Sequence, residues 1–278
     1  TSQTVISRGL NKADGYYSYL YDNENGLGEF SLWISDQQGQ IITSDIQQNF
    51  IGDFTLGKNR NRIVIGVDYF SRNIIDNSSN YGWVHNVNPQ GEVNYIIDPT
   101  TGEEAAPNYL TRTSIDNLLA PLGMSKSNSK DAAYSAYVSD VINLTPQIMA
   151  MASLRVDYFD TEGDITTDDD DYSQTALSPK FGLIYQPIQD KLSVFANYMN
   201  GFKNVAPVQV SDIEGNNRRT KTFEAEHANQ MEFGVKSNLF SDKLMASISY
   251  YDIKLSNVVT GDPNNPNNNL FIGTASGG

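Results

Sequence analysis

The stretch Ile148-Met149-Ala150-Met151-Ala152-Ser153-Leu154-Arg155-Val156-Asp157-Tyr158-Phe159 carries two different surfaces on one strand. Ile148, Ala150, Ala152, Leu154, Val156 and Tyr158 form a uniformly apolar face that ends in an aromatic. Met149, Met151, Ser153, Arg155, Asp157 and Phe159 form the other. Successive side chains of a strand point to opposite sides of the sheet. The first face suits hydrocarbon, with Tyr158 at the interface. Arg155 and Asp157 are tolerable only where water or protein meets them. At about ten residues, such a strand crosses a bilayer when tilted.

The alternation recurs. Leu192, Val194, Ala196 and Tyr198 stand against Lys191, Ser193, Asn197 and Met199, with Phe195 an apolar exception. Met231, Phe233, Val235 and Leu239 oppose Gln230, Glu232, Gly234, Lys236 and Asn238. Phe181, Leu183 and Tyr185 oppose Lys180, Gly182 and Gln186; Ile63, Ile65, Val67 and Tyr69 oppose Arg62, Gly66 and Asp68. Leu244, Ala246, Ile248 and Tyr250 oppose Ser247 and Ser249. Beyond Tyr250 the phase changes, because Tyr251, Ile253 and Leu255 lie on the other parity; a bulge or an exit from the membrane accounts for it. One such strand fits a half-buried strand of a soluble protein. A series of them fits a membrane barrel better.

The connections sort in the same sense. Short turns are expected at Gly57-Lys58-Asn59-Arg60, Thr145-Pro146, Pro187-Ile188-Gln189-Asp190 and Phe240-Ser241-Asp242-Lys243. Longer polar stretches lie between them, at 73–130, 161–175, 203–224 and 259–269. Short turns at one end and long loops at the other mark an outer-membrane β-barrel, and a β-sandwich has no reason to sort its loops this way. Two earlier segments are less regular. Residues 1–22 hold an alternating start and then Tyr16-Tyr17-Ser18-Tyr19-Leu20-Tyr21. Residues 29–56 are too long for one crossing and suggest a strand rising beyond the membrane, with an extra turn at Asp36-Gln37-Gln38-Gly39.

Composition narrows the function. No apolar run approaches the roughly 18 residues of a spanning helix, and the mean hydropathy is -0.43. Barrel strands escape that test because only alternate residues face lipid. The net charge of -14 argues against a nucleic-acid partner, which needs a basic surface. With no cysteine there is neither a disulfide nor a thiolate metal site. Sixteen Tyr and twelve Phe are enough to furnish aromatic girdles.

Several motifs resemble the TonB-dependent siderophore receptors of the Gram-negative outer membrane. Asp140-Val141-Ile142-Asn143-Leu144-Thr145 with Leu154-Arg155-Val156-Asp157 is similar to the family hairpin "QDxIKLTDKL…GLRYD", with Ser139 for Gln and Val156 for the aromatic. Leu177-Ser178-Pro179-Lys180-Phe181-Gly182-Leu183-Ile184-Tyr185-Gln186-Pro187 resembles "SPRxGLxYQP". Leu192 to Phe202 resembles "LSLYASYSxGF", and Ile65-Gly66-Val67-Asp68-Tyr69 the "GVDY" strand. Met231 to Phe240, then Tyr251-Asp252-Ile253 and Asn257-Val258-Val259-Thr260, is similar to "YExGxKxxLF" and "FDIxxxNVxT". The order and spacing carry the resemblance.

The resemblance implies an all-β, antiparallel, up-and-down transmembrane barrel of roughly 22 strands around an N-terminal plug. This chain would supply an open part of about ten strands. Residues 1–278 are expected to be a middle portion of the barrel domain, without the plug or the closing C-terminal strands. The implied function is capture and import of a ferric siderophore, which is cargo; no cofactor and no enzyme activity are expected. The implied partners are the TonB complex, acting through the plug, and outer-membrane lipid and lipopolysaccharide, for a receptor that is monomeric at full length. Importers of cobalamin, haem or glycans, or a passive channel, are the alternatives.

Candidate ligand residues cluster in the long stretches. Tyr81, Trp83, Tyr95 and Tyr109 offer aromatic surface for a bulky chelate. Arg218 and Arg219, with Lys221, form a basic cluster suited to an anionic chelate or to lipopolysaccharide phosphate. Solvated loops account for both patterns as well. Asp168-Asp169-Asp170-Asp171 has the oxygen chemistry of a calcium loop, although such runs are usually solvated. His85 and His227, the two histidines, lie in or beside expected loops; either can serve a metal site, although solvated loop histidines are the commoner case. No catalytic constellation is present.

Overall fold

The computed structural model describes residues 1–24, 28–88, 96–97, 102, 104–105, 110–163, 170–239 and 243–277, with backbone alone for 96–97, 104–105, 266–267 and 269–277. In chain order the strands are β1 (Ser2–Asp22), β2 (Phe30–Leu56), β3 (Asn59–Asp76), β4 (Gly82–Val87), β5 (Ile96–Ile97) and β6 (Glu104–Ala105). After helix α1 (Arg112–Leu119) come β7 (Ser127–Asn143), β8 (Ile148–Glu162), β9 (Tyr172–Ile188) and β10 (Leu192–Lys203). The small strands β11 (Val208–Val210) and β12 (Arg219–Lys221) precede β13 (Glu226–Leu239), β14 (Leu244–Asp262) and β15 (Asn265–Gly277).

One antiparallel sheet takes the order β1-β2-β3-β7-β8-β9-β10-β13-β14-β15, with β4 added to β2. Sequential strands are neighbours, so the topology is up-and-down. The sheet is not closed among the described residues: β1 and β15 are its two ends. The chain divides into two compact units. The first holds Thr1–Arg8, Thr43–Arg72 and Lys130–Gly278; the second holds Gly9–Ile42 and Asn73–Ser129.

In the first unit the expected faces are present. On β8, Leu154 is 47% exposed while Asp157 is 3% exposed. The apolar face carries Leu177, Phe181, Leu183, Val194, Phe233 and Ile248, all exposed. Aromatics line up across it: Tyr69 and Tyr134 have ring centroids 5.0 Å apart, and Tyr134 and Tyr158 6.3 Å. Register between β8 and β9 holds from Ile148↔Tyr185 to Thr161↔Tyr172. One slip would invert every face, so this pairing preserves the two-sidedness.

Two of the four turns are tighter than the sequence suggests, and the turn expected at Thr145-Pro146 is wider, with four residues, Leu144 to Gln147, between β7 and β8. Gly57 and Lys58 alone join β2 to β3. Gly57 has φ +64°, which a two-residue hairpin demands of its first turn residue. Between β7 and β8, Thr145 Oγ1 accepts from the Gln147 and Ile148 amides and closes the turn. Pro187 and Ile188 still belong to β9, and Gln189–Lys191 make the turn, with Asp190 at φ +61°. The expected turn at Phe240–Lys243 lies outside the described residues except for Lys243, but Leu239↔Leu244 pair across it.

Four expectations need correction. Residues 259–269 are not a loop. β14 runs to Asp262, which pairs with Asn265, leaving only Pro263 and Asn264 between the strands. Asp36–Gly39 is not a turn, because β2 is one 27-residue strand. Its backbone is satisfied there by the segment after β3: Asn77 N–H donates to Gln38 O and Ser79 N–H to Asp36 O, each at 2.9 Å. No bulge lies at Tyr250. β13 and β14 keep register from Leu239↔Leu244 to His227↔Ser256, and β14 becomes irregular only further on, at Asn257, φ +58°, and at the register shift between Gly261 and Asp262. Finally, 73–130 is not a plain loop, since it contains the end of β3, β4, α1 and the start of β7.

In the second unit β4 lies on β2, and α1 closes a small apolar core of Ile34, Val84, Ile115 and Leu119. Thr111 caps α1 in a reciprocal box with Ser114. The expected loop residue His85 is instead a strand residue of β4, 5% exposed. His227 likewise lies in β13.

Two polar-face glycines of the first unit are filled by aromatic rings. A Cβ on Gly66 would lie 2.3 Å from Tyr137 Cζ, and one on Gly234 the same distance from Phe195 Cζ and 2.9 Å from the Ile248 carbonyl oxygen. Rings laid over strand glycines pin register. Gly234→Ala is expected to cost about 1–3 kcal/mol, because Phe195 must leave its place and the backbone cannot yield. Urea unfolding of the variant against the parent protein measures it, and an unchanged midpoint would contradict the packing.

Candidate functional site

The polar face of β3, β7 and β8 holds a charged network. Alternation brings Asp68, Ser135, Tyr137, Arg155 and Asp157 to one side of the sheet. Arg155 Nε donates to both Asp157 carboxylate oxygens, at 2.9 and 3.0 Å, and Nη2 to Asp68 at 2.8 Å. Ser135 donates to Asp157 at 2.6 Å. The guanidinium stands 5.3 Å from the Tyr137 ring centroid. Tyr137 Oη accepts from Gln47 at 2.9 Å and donates to Asn49. Each partner satisfies another, so the network fixes side chains that would otherwise be costly to desolvate.

The connection between β10 and β13 folds back on the sheet rather than standing free. Gln174 of β9 holds both its ends: Nε2 donates to Phe223 O at 2.9 Å, and Oε1 accepts from Val205 N–H at 3.3 Å. Asn204 donates to the Tyr172 hydroxyl at 3.0 Å. From the other side, Asn257 donates to Ala225 O and Asn265 to Ser211 O. Val210, Phe223 and Ala225 are buried as a result.

The candidate ligand residues separate. Arg218 and Arg219 are exposed in the β11–β12 hairpin; Arg219 pairs with Val210, and Arg218 Nε donates to Gly215 O at 3.4 Å. Lys221 is drawn away from them, 5.2 Å over the Phe223 ring. In the second unit Tyr81 is exposed and meets Tyr19 and Tyr17 edge-on, with centroids 5.2 and 6.5 Å away. Trp83 lies in β4, where its indole N–H donates to Asn86 at 3.1 Å. Tyr95 and Tyr109 lie outside the described residues, as do Asp168 and Asp169. Asp171 accepts from the Gly163 amide at 2.7 Å. Among the described residues no group of three or more His, Asp or Glu side chains is disposed to hold a metal.

Tyr17 and Tyr19 were not singled out from sequence as ligand candidates, although the aromatic run 16–21 contains them. Tyr16, on the other parity of β1, is not part of the cluster, and its hydroxyl donates to Asp116 at 2.5 Å.

Comparison with known proteins gives a family match, described as TonB dependent receptor-like, beta-barrel, over residues 3–277. The chain belongs to this family. TonB-dependent receptors are Gram-negative outer-membrane β-barrels and transporters rather than enzymes. The metal-pseudopaline receptor CntO of Pseudomonas aeruginosa is 32% identical over 103 residues, 37% of this chain and 13% of that receptor. Among solved structures, the pyoverdine outer-membrane receptor FpvA of P. aeruginosa superposes with a TM-score of 0.70 at 16% identity, over 99% of this chain and 34% of that one. BauA, the ferric preacinetobactin receptor of Acinetobacter baumannii, gives 0.64 at 16% identity, over 98% of this chain and 38% of that one. This TonB-dependent receptor chain thus spans only a minor part of each relative's length.

Proposed function

We propose that this chain is part of the barrel wall of a TonB-dependent receptor that captures a ferric siderophore and passes it across the outer membrane. The family match along nearly the whole two-faced sheet carries the reading. The apolar face is the lipid surface, and the face bearing Arg155, Asp157 and Asp68 lines the lumen. Unpaired strand edges cost several kcal/mol per backbone group in hydrocarbon, so further strands complete the wall beyond β1 and β15. A plug fills the lumen and transmits the pull of TonB. The names of the relatives, all receptors for metal chelates, favour a chelate over cobalamin, a glycan or a passive pore.

Ligand is captured by the aromatic group around Tyr81, with Trp83, Tyr95 and Tyr109 on the same long connection, while Arg218 and Arg219 attract an anionic chelate. The test is radio-iron uptake by iron-starved cells with and without the receptor gene, over a panel of ferric siderophores. Uptake of one chelate should vanish on deletion, and on collapse of the proton gradient. A pore that conducts openly in a voltage-clamped bilayer, with uptake unaffected by deletion, would favour the passive channel. Loading the relevant chelator with other transition metals addresses a wider metallophore range.

Sidedness is testable separately. The long connections should face the outside, and the short turns the periplasm. A cysteine at Asn217 should react with an impermeant maleimide on intact cells, whereas one at Gln189 should react only after the outer membrane is breached. The reverse pattern would invert the topology.

A further inference from the structure

On the polar face, β9 and β10 part company. Their register runs to Met199↔Lys180 and stops. The next residue of β9 is Pro179, which has no N–H to give a ladder. On its other side β9 stays paired with β8, through Leu154↔Pro179 and Arg155↔Ser178. The parting leaves a concavity of about 400 Å³ lined by Tyr137, Ser153, Arg155, Ser178, Lys180, Asn200, Gly201 and Phe202.

Three features of this slot point to a ligand. Ser178 is 5% exposed, yet its hydroxyl has no hydrogen-bond partner. A buried hydroxyl left so is costly, and a missing acceptor is one reason for it. Lys180, cross-strand from Ser153, has no carboxylate partner among the described residues. Arg155 spends Nε and Nη2 on Asp157 and Asp68, leaving Nη1 without a protein acceptor among them. Gly201 completes the shape, since a Cβ there would meet nothing within 4 Å.

We propose that the slot between β9 and β10 is a carboxylate-binding site, in which the Lys180 ammonium and the Ser178 hydroxyl, beside the Arg155 guanidinium, hold one carboxylate group. Ammonium, guanidinium and hydroxyl all donate, and a carboxylate accepts from all of them. Asp157 and Asp68 together outweigh Arg155 by one charge, and the Lys180 ammonium brings the group to neutrality; Lys180 is still the cation of the slot that no carboxylate among the described residues contacts, and a bound carboxylate meets it directly. The carboxylate comes from an acidic side chain of the segment that fills the lumen or from a mobile ligand passing it. The naming of these two sources rests on the barrel-wall reading; the carboxylate site itself rests on the slot.

Carbodiimide coupling separates them. The reagent activates a carboxylate, and an amine in contact with it forms an amide. The full-length receptor in detergent would be coupled with and without isotope-labelled glutarate as the free probe, then digested and mapped by mass spectrometry. Exposed Lys58, in the β2–β3 turn, serves as the reference amine. The expected result is an amide on Lys180. A partner residue outside 1–278 identifies the lumen segment. Glutarate on Lys180 above the level at Lys58 identifies a mobile ligand. Gly201→Leu adds a side chain to the slot's lining, at a position where a Cβ meets nothing within 4 Å, and should abolish either product, leaving Lys58 unchanged. Ser178→Ala, which removes only the hydroxyl, should reduce it.

Three outcomes would overturn the site: Lys180 coupled to an acidic residue within 1–278, coupling no greater than at Lys58, or coupling indifferent to both substitutions. Because none of these readouts involves transport, loss of siderophore uptake and loss of the site remain distinguishable.

Discussion

Replacing Arg155 with Met should destabilise the folded receptor by about 3–5 kcal/mol, the range for removing one partner of a buried ion pair. Asp157 sets the scale. It is 3% exposed and keeps only the Ser135 hydroxyl, at 2.6 Å, once the guanidinium is gone. Asp68 loses its 2.8 Å contact as well. Arg155 itself has a side chain 36% exposed, so solvent screens part of the attraction and the lower end of the range is expected. Urea unfolding in detergent, followed by the shift between folded and unfolded forms on a gel, gives the difference. The double variant Arg155→Met with Asp157→Asn should recover much of the loss, because no unpaired charge then remains at the most buried position. If single and double variants unfold alike, the network does not hold β3, β7 and β8 together as described.

That network shows what a sequence of this kind can and cannot disclose. Two-residue periodicity places Arg155 and Asp157 on the polar face from the residues alone, since a strand offers only two sides. The partners Asp68 and Ser135 cannot be had that way. Asp68 depends on register between strands separated by a long connection, and Ser135 on the register of the β7–β8 hairpin; only the paired structure specifies either. Strand ends were hidden for a related reason. Asn, Asp and Pro around Pro263 and Asn264 have the composition of a loop, yet the ladder continues to Asp262↔Asn265. A hairpin carried beyond the apolar region needs no apolar face, so its residues look like loop.

Tyr81 makes the same point for the ligand candidates. An aromatic on a polar connection is visible in the sequence. That it meets Tyr17 and Tyr19 rather than Trp83 depends on where β1 lies within the second unit. Helix α1 had a readable start in Thr111-x-x-Ser114 before Ile115, Leu118 and Leu119, but at eight residues it is shorter than the helices that periodicity reliably marks. Pro179 was visible as part of a family motif, and its consequence, a parted ladder beside Ser178 and Lys180, was not.

The sharpest test of the two faces is a pair of adjacent substitutions on β8. Leu154→Arg should cost roughly 2–4 kcal/mol if the residue lies near the bilayer midplane, falling toward the interface. Leu154 is 47% exposed on the apolar face, so the guanidinium would enter hydrocarbon unpaired. Ser153→Arg places the same group on the lumen side, one residue away and at nearly the same depth. There its cross-strand neighbour is Lys180. Two like charges directly opposite in a sheet cost about 0.2–1 kcal/mol, clearly less than the price of burying charge in lipid. The two penalties differ in salt dependence as well. Repulsion across a water-filled lumen is screened by added salt, whereas desolvation in hydrocarbon is not. Leu154→Arg should therefore be the more damaging variant at every salt concentration, with the gap widening as salt rises. Equal penalties, or a larger one at Ser153, would mean that the faces of β8 are reversed and that Arg155 and Asp157 look toward lipid.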